Sequence, residues 1–292
     1  MNGIIKSLKD YFSLVKFSHT VFAMPFAVIG FSLATTNNGN HFNLRLLLLI
    51  LLCMVFARNA AMGFNRYADK KYDALNPRTS SREIPSGKIN ARSAALFVLI
   101  NAILFIIATA FINRLTLYLS PVALLIILGY SLTKRITKLC HFILGLGLSL
   151  APVGAYISIT GKFSIISIIY SFIVLTWVSG FDIIYALQDD EFDRNNNLFS
   201  IPSYTGRKKA ITISIIVHLI TFLLVIAAGA VQKADYLYWT GAAVFSLLLI
   251  YQHLIINPQD ISRVNMAFAT TNGIASIVYA LFVICDLFML RK

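Results

Sequence analysis

Long apolar segments separated by short polar ones follow one another along the whole chain. Each segment has about 18 to 25 residues, enough for a helix to cross a hydrocarbon layer of roughly 30 Å. Because the segments are continuous rather than alternating, they favour helices over the strands of a barrel. The pattern predicts an all-α, polytopic membrane bundle of about nine transmembrane helices in a single domain. The nine segments are 18–36, 44–64, 92–112, 115–132, 140–160, 164–186, 208–231, 236–256 and 265–289.

Composition excludes a soluble domain. Of the 292 residues, 58% are hydrophobic and 13% are charged, whereas soluble domains carry roughly 25% charged residues. The single domain is expected to span residues 1–292, and the N-terminus lacks the short apolar core and cleavage site of a signal peptide. The three cysteines are scattered without the spacing of a metal or disulfide site, so we interpret them as packing residues.

The basic residues predict an orientation. If the N-terminus is cytoplasmic, 19 of the 25 Lys and Arg residues lie on the cytoplasmic side, including Arg58, Arg66 and Arg92 at helix ends, and six lie on the other side. The net charge of +13 then reflects membrane topology, and no nucleic-acid partner is expected. The predicted location is a bacterial inner membrane, with the N-terminus in the cytoplasm.

Two acidic stretches, FNRYADKKYD and DIIYALQDDEFD, stand out in this apolar chain. With their flanks, which include the expected cytoplasmic loops 65–91 and 187–207, they hold eight of the twelve acidic residues. A carboxylate at a membrane is costly unless it is neutralised, so such a cluster indicates a functional site. The eight are Asp69, Asp73, Glu83, Asp182, Asp189, Asp190, Glu191 and Asp193.

A four-residue spacing relates the oxygen-bearing side chains of the first stretch. Asn65, Asp69 and Asp73 lie on one face of a helix, provided that the second helix continues through Asp73. Such a face has three uses: a solvated helix end, a path for protons or cations, or a divalent metal site.

The second stretch repeats this spacing with Tyr185, Asp189 and Asp193, and Asp182 lies seven residues before Asp189. A continuous helix would again place these residues on one face. Asp190 and Glu191 would then point away, as a solvated face.

The surrounding residues favour a metal that binds phosphate. Oxygen ligands without His or Cys suit Mg²⁺, which keeps several waters and shares phosphate oxygens with its substrate. Basic residues adjoin both stretches, in the loop ALNPRTSSREIPSGKI and in the helix ending YSLTKR. Acids and bases in one place therefore predict a bound metal diphosphate. The basic residues are Arg78, Arg82, Lys88, Lys134 and Arg135.

These segments resemble the UbiA family of intramembrane aromatic prenyltransferases. NRYADKKYDALNPRTSSREIPSG is similar to its N-D-x-x-D-x-x-x-D and R-T-x-x-R-P-x-P-S-G stretches, and DIIYALQDDEFD to its second aspartate motif. YSLTKR and KFSHTVFAMPFA resemble two further family segments, so the likeness covers nearly the whole chain. Three departures are Arg66, where many relatives have an acid, the extra acidic pair Asp190 and Glu191 in the second stretch, and Ser200-Ile201-Pro202 after the second motif.

The resemblance implies Mg²⁺-dependent transfer of a polyprenyl group from an allylic diphosphate to an aromatic acid. Asn65 with Asp69 would hold one Mg²⁺ and Asp189 with Asp193 a second, and Asp73 is a further candidate ligand. The candidates for binding the diphosphate are Lys16, Arg78, Arg82, Lys134 and Arg135. The candidates for stabilising an allyl cation by cation–π contacts are Tyr130, Tyr185 and Phe64.

Asp182 is expected to orient a partner or to take the proton released by the acceptor, although it and Asp73 could each be a third metal ligand.

The second motif and the KFSHT opening look most like the 4-hydroxybenzoate branch of the family. The NPRTxxREIPSG segment also resembles menaquinone-pathway relatives that act on naphthoate or futalosine-type acceptors. A cation-coupled secondary transporter is the alternative function from another class. This alternative predicts acidic residues near helix midpoints and an inverted repeat. No protein partner is expected besides the lipid bilayer.

Overall fold

The computed structural model describes residues 9–15, 23–37 and 42–290. Within these ranges the protein is helical and has no strand, which confirms the predicted all-α fold. Eight helices there are long and apolar enough to span a membrane, and the shorter apolar helix Met24–Thr36 precedes them. The predicted start of the first segment, at residue 18, lies outside the described residues.

The helices are named in chain order. They are α1 (Met24–Asn37), α2 (Leu44–Leu75), α3 (Ala91–Ala110), α4 (Arg114–Thr133), α5 (Cys140–Thr160), α6 (Ile165–Tyr185), α7 (Asp190–Asn195), α8 (Ile201–Thr205), α9 (Arg207–Val231), α10 (Tyr236–Leu254) and α11 (Asn272–Cys285). A 3₁₀ turn, Ala186–Asp189, joins α6 to α7, and π-helical turns at Met266–Thr271 and Asp286–Leu290 flank α11.

α2 is longer than its apolar segment. It extends through Leu75 and ends because Pro77 restricts the residue before it to an extended backbone; Asn76 has φ −86° and ψ 119°. The condition for the first oxygen-bearing face is thereby met, since Asn65, Asp69 and Asp73 all lie within this one helix.

The second acidic stretch is not one regular helix, so the prediction of a continuous helix there is wrong, although the four residues expected on one face still line a common cavity. α6 ends at Tyr185, and the next four residues form the 3₁₀ turn. A 3₁₀ helix turns about 120° per residue and an α-helix about 100°, so four residues rotate the next helix by roughly 80°. With this change Asp190 is also buried, whereas Asp193 keeps the inward position expected of it.

α6 lies at the centre of the bundle, between α5 and α9, and α1 packs on α5 and α11. Trp177 and Tyr170 of α6 are fully buried and pack against aromatic rings of three other helices. Trp177 Nε1 also donates a hydrogen bond to Asn272 Oδ1 at 3.0 Å. On the outside, large side chains such as Leu125 (74% exposed) and Leu254 (78%) are uncovered. A surface this apolar is that of an integral membrane protein.

Replacing Gly30 by Ala is expected to destabilise the bundle. A Cβ at Gly30 of α1 would lie 2.2 Å from the Pro152 carbonyl oxygen of α5, so the two helices would have to separate. Overpacking of this kind typically costs about 1–3 kcal/mol. Thermal unfolding in detergent measures the loss. Gly154→Ala is the matched control, because a Cβ there meets no atom within 4 Å; equal melting temperatures for both variants would contradict the prediction.

Candidate functional site

The helix ends that carry the two acidic stretches surround one cavity of about 280 Å³, here called the polar cavity. Helices α2, α4, α5 and α6 contribute to its wall, together with the loop that follows α2. Of the fourteen predicted site residues, Lys16 lies outside the described residues and Phe64 does not line the cavity. The other twelve line this cavity: Asn65, Asp69, Asp73, Arg78, Arg82, Tyr130, Lys134, Arg135, Asp182, Tyr185, Asp189 and Asp193.

Asn65 and Asp69 lie next to each other on successive turns of α2. Asn65 Nδ2 donates to Asp69 Oδ2 at 3.0 Å, and Arg135 Nη2 donates to Asp69 Oδ1 at 3.0 Å. Arg135 also donates to the carbonyl oxygen of Ala68 at 2.7 Å. The end of α4 is thus held against the first acidic stretch by one guanidinium.

Asp73, one turn further along α2, is bound by the loop that follows this helix. Arg82 Nη1 donates to Asp73 Oδ1 at 2.7 Å, and Thr79 Oγ1 donates to the Asp73 carbonyl oxygen at 3.1 Å. Asp73 Oδ2 is buried and has no hydrogen-bond partner in the described part of the chain. A buried oxygen without a partner is costly, and a bound cation would satisfy it.

Asp189 receives three donors from the same loop. Arg78 donates from Nε to Asp189 Oδ1 at 2.9 Å and from Nη2 to Asp189 Oδ2. Asn76 Nδ2 donates to Asp189 Oδ1 at 2.9 Å. Arg78 also donates to the Tyr185 hydroxyl at 3.3 Å. Burial alone would lower the pKa of Arg78, but the hydrogen bonds and charge of Asp189 outweigh it and raise that pKa.

Asp193 is fully buried and bridges two elements. Lys134 Nζ lies 2.7 Å from Asp193 Oδ1, and Ser200 Oγ donates to Oδ2 at 3.0 Å. Burial disfavours the charged Lys134, yet the negative charge of Asp193 outweighs it and raises the Lys134 pKa. Ser200, one of the departures from the family pattern, thus contacts the second acidic stretch directly.

Four carboxylates and four bases therefore form four pairs around one cavity. The pairs are Asp69 with Arg135, Asp73 with Arg82, Asp189 with Arg78, and Asp193 with Lys134. Within the described ranges, no three His, Cys, Asp or Glu side chains are close enough to form a complete metal cage. Paired oxygen ligands that leave room for water and phosphate fit Mg²⁺ well, because Mg²⁺ is usually bound in that way.

The interpretation of Asp190 as a solvated residue is wrong. Arg207 at the start of α9 binds it through two hydrogen bonds of 2.9 and 2.8 Å, and Asp190 is only 4% exposed. The rotation introduced by the 3₁₀ turn brings Asp190 against α9. Glu191 has an 80% exposed side chain, as expected.

Aromatic side chains line the polar cavity near the second stretch. The rings of Tyr185 and Phe268 lie 4.1 Å apart, and Tyr130 lines the wall formed by α4. Phe64, expected here, is described by the structure but is not among the residues that line this cavity, and Lys88 also lies outside its wall. Phe268 was not predicted, because nothing in the chain near it marks a site.

Two arginines of α2, the partly buried Arg58 and the buried Arg66, were missed as site residues. Both line the polar cavity and interact with Tyr130, and neither forms an ion pair within the described residues. Their Nε atoms are buried without a hydrogen-bond partner there, although Arg66 Nη1 lies 3.4 Å from Asn65 Oδ1. The available signal for Arg58 was its charge inside the apolar segment 44–64, which usually indicates function.

A second, mostly apolar cavity of about 360 Å³ adjoins the polar one and is here called the apolar cavity. It extends between α2, α4 and α5 towards Ile112 and Phe163 at the other ends of these helices. The two cavities share a wall formed by Arg58, Met62, Tyr130, Leu144 and Leu148. A charged chamber thus opens beside a long apolar one.

Comparison with known proteins identifies the family. The model of the UbiA prenyltransferase family matches residues 23–277. A 4-hydroxybenzoate octaprenyltransferase of Tolumonas auensis is 29% identical over 235 residues, which are 80% of this chain and 82% of the relative. The apo structure of a UbiA homolog from Aeropyrum pernix has 30% identity, a TM-score of 0.84, and coverage of 92% of this chain and 98% of that one.

A third comparison concerns the fold alone. The structure of a UbiA homolog from Archaeoglobus fulgidus bound to DMAPP and Mg²⁺ has 23% identity and a TM-score of 0.73, and covers 96% of this chain and 99% of that one. The family match extends over most of the chain and includes both acidic stretches. The chain therefore belongs to the UbiA prenyltransferase family.

Proposed function

We propose that this prenyltransferase moves a polyprenyl group from an allylic diphosphate to an aromatic acid, with 4-hydroxybenzoate as the acceptor. The observation that carries the proposal is the polar cavity, where four acid–base pairs adjoin an apolar cavity. The acceptor is suggested by the relatives, which are named 4-hydroxybenzoate octaprenyltransferases. Membership of a prenyltransferase family argues against the secondary-transporter alternative.

Mg²⁺ is the cofactor we propose. Asn65 with Asp69 would hold one ion and Asp189 with Asp193 a second, and the orphaned oxygen of Asp73 is a further ligand. When bound, Mg²⁺ would neutralise charge on the departing diphosphate. The Archaeoglobus fulgidus homolog, whose structure has DMAPP and Mg²⁺ bound, supports this proposal.

The bases of the four pairs would then change partners. In these pairs, carboxylates satisfy the positive charges of Arg78, Arg82, Lys134 and Arg135. With these carboxylates bound to a metal, the guanidinium and ammonium groups would be available to phosphate oxygens, which they bind well. We therefore infer that these four residues hold the diphosphate as it leaves.

The allyl cation formed at the carbon end needs a dry, electron-rich surface. Tyr130 of α4 and Tyr185 of α6 both line the cavity. A desolvated cation–π contact is worth up to about 2 kcal/mol. Apolar neighbours such as Phe268 and Leu144 would exclude the water that otherwise captures the cation. The same chamber thus serves leaving group and cation.

The apolar cavity is our candidate for the isoprenoid tail. It begins at the shared wall and is lined by small and aliphatic side chains, including Ala57, Gly147 and Gly154. Its length would limit how much of the tail the protein encloses.

Gly154→Phe is expected to shorten the accepted donor. Because a Cβ at Gly154 meets no atom within 4 Å, a phenyl ring there would project into the apolar cavity rather than into a neighbouring helix. The rate of transfer should fall at least tenfold with a long polyprenyl diphosphate, while a five- or ten-carbon donor is transferred at nearly the unchanged rate. Comparing initial rates with both donors tests this; an equal decrease for both would contradict the tail assignment.

The acceptor would bind near Arg58. This partly buried residue lies at the shared wall, its Nε atom is buried without a partner, and it has no acidic partner in the described part of the chain, so an anionic ligand would compensate its charge. A carboxylate bound there would place the aromatic ring of the acceptor beside Tyr130 and between the two cavities.

We further infer that residues 1–292 form one catalytic unit in a bacterial inner membrane, with the polar cavity on the cytoplasmic side. The excess of basic residues on that side supports this orientation. Labelling of single cysteines introduced at Lys70 and Lys162 by a membrane-impermeant reagent would test it.

The deciding experiment for the function uses the purified protein in lipid nanodiscs. It is incubated with Mg²⁺, a labelled polyprenyl diphosphate and a panel of aromatic acids. Prenylated 4-hydroxybenzoate is the expected product. Transfer to naphthoate or futalosine-type acceptors alone would instead assign the protein to menaquinone synthesis, and ion flux in proteoliposomes without any transfer would overturn the proposal.

A further inference from the structure

His141, at the first turn of α5, is a buried residue of the polar cavity to which the sequence assigned no role. Its ring is 2% exposed and both nitrogens are engaged. Nδ1 lies 2.7 Å from Oδ2 of Asp182, and the main-chain N–H of Ile201 donates to Nε2 at 3.2 Å. These two contacts determine where the proton of the imidazole resides.

A main-chain N–H can only donate, so Nε2 must carry a lone pair towards Ile201. The single proton of the neutral ring is then on Nδ1 and is donated to the Asp182 carboxylate. Protonating the second nitrogen would place two N–H groups against each other in a buried site. The two contacts of His141 therefore favour the neutral Nδ1–H tautomer.

The Ile201 N–H is available because Ile201 is the first residue of α8, where backbone donors lack an intrahelical acceptor. The preceding residue, Ser200, donates from its hydroxyl to Asp193 at 3.0 Å. One short segment thus connects the second acidic stretch to His141, and through it to Asp182. The position of Asp182 is coupled in this way to the part of the cavity where the diphosphate is proposed to bind.

We infer that His141 is a positioning residue that orients Asp182 as the base for the acceptor. The inference rests on the proposed function. Asp182 Oδ2 is bound to His141, whereas Oδ1 has no hydrogen-bond partner among the described residues, and Asp182 lines the polar cavity. This second oxygen is the one able to accept a proton from a bound ring.

The step is balanced in atoms and charge. The allylic C–O bond of the donor breaks and its electron pair leaves with the diphosphate, while a ring carbon of the acceptor forms the new C–C bond. The proton on that ring carbon passes to Oδ1 of Asp182, and the C–H electron pair restores aromaticity. His141 keeps its own proton on Nδ1 throughout.

Two substitutions separate the two contacts of His141. The amide nitrogen of Asn can take the place of Nδ1, whereas the amide of Gln reaches the position of Nε2. His141→Gln is expected to keep the Ile201 contact and to lose the Asp182 contact. Its kcat should fall by about 10²-fold, because small misplacements of a reacting group have effects of this size. Its KM for the diphosphate should stay unchanged. His141→Asn is expected to recover at least a tenth of the original kcat.

Equal decreases of kcat in the two variants would overturn the inference, because a purely structural histidine would give that result. An unchanged kcat in both variants would also overturn it, because the histidine would then be unused. Nitrogen NMR of histidine-labelled protein in nanodiscs, with the signal assigned by its loss in His141→Asn, reads the tautomer independently of activity. An Nδ1–H tautomer at neutral pH is expected, and an imidazolium or an Nε2–H tautomer would refute it. A folded wild-type protein without any transfer would refute the proposed function itself, and with it the role of Asp182 as a base.

Discussion

Asp189→Asn is expected to lower the rate of prenyl transfer by about 10²- to 10³-fold while the protein stays folded, a loss typical of removing one electrostatic contact to a transition state. The substitution keeps the size of the side chain and its hydrogen bond from Asn76 but removes the charge that now holds Arg78. The amide would weaken the proposed Mg²⁺ site, and Arg78 would lose its partner before the diphosphate arrives. Initial rates over a range of Mg²⁺ concentrations measure both effects.

Glu191→Gln is the matched control for this experiment. Glu191 belongs to the same acidic stretch and loses the same charge, but its side chain is 80% exposed and does not line the polar cavity. Its rate should stay within about twofold of the original, because exposed charge pairs contribute little. Full activity in Asp189→Asn, or equal losses in the two variants, would contradict the proposed metal and diphosphate site.

The sequence was most informative where a local rule decided the structure. Apolar segments of membrane-spanning length predicted the helices, and the Asn76-Pro77 step ends α2 soon after Asp73, so the spacing of Asn65, Asp69 and Asp73 could be interpreted directly. The bases in the loop after α2 were also found from sequence, and two of them, Arg78 and Arg82, contact acids of the stretches.

Local rules failed where tertiary packing made the choice. Nothing within DIIYALQDDEFD indicates that the α-helix changes to a 3₁₀ turn. The burial of Asp190 depends on Arg207, which is seventeen residues away in the chain. The role of His141 depends on partners 41 and 60 residues distant in the chain, which no spacing could indicate. The pairing of each acid with a particular base has the same origin.

Arg58 illustrates a signal that was present but given another meaning. It was counted among the basic residues that determine topology, because it lies near the end of an apolar segment. Yet α2 continues for seventeen residues beyond it, so Arg58 lies well inside the helix and faces both cavities. Charge inside a long helix, rather than charge at its end, is the sign of a binding site.

Arg58→Met is accordingly expected to reduce kcat/KM for the aromatic acid by roughly 30- to 5,000-fold, or about 2–5 kcal/mol, the usual effect of truncating one member of a buried charge pair. Methionine fills similar space without a charge, so the cavity keeps its shape while the carboxylate of the acceptor loses its partner. KM for the polyprenyl diphosphate should change little, because four other bases are available to it. Steady-state kinetics with each substrate varied in turn separate the two effects.

Two comparisons make the Arg58 experiment specific. Arg45→Met removes the same side chain from the exposed beginning of α2, which does not line either cavity, and should leave both kinetic constants unchanged. The neutral amide of the acceptor should react slowly with the wild-type protein, and Arg58→Met should slow it little further, since neither the amide nor the variant can form the charge pair. If Arg58→Met instead slowed the acid and the amide by the same factor, Arg58 would act on the structure or on the diphosphate, and the carboxylate would have to bind elsewhere in the polar cavity.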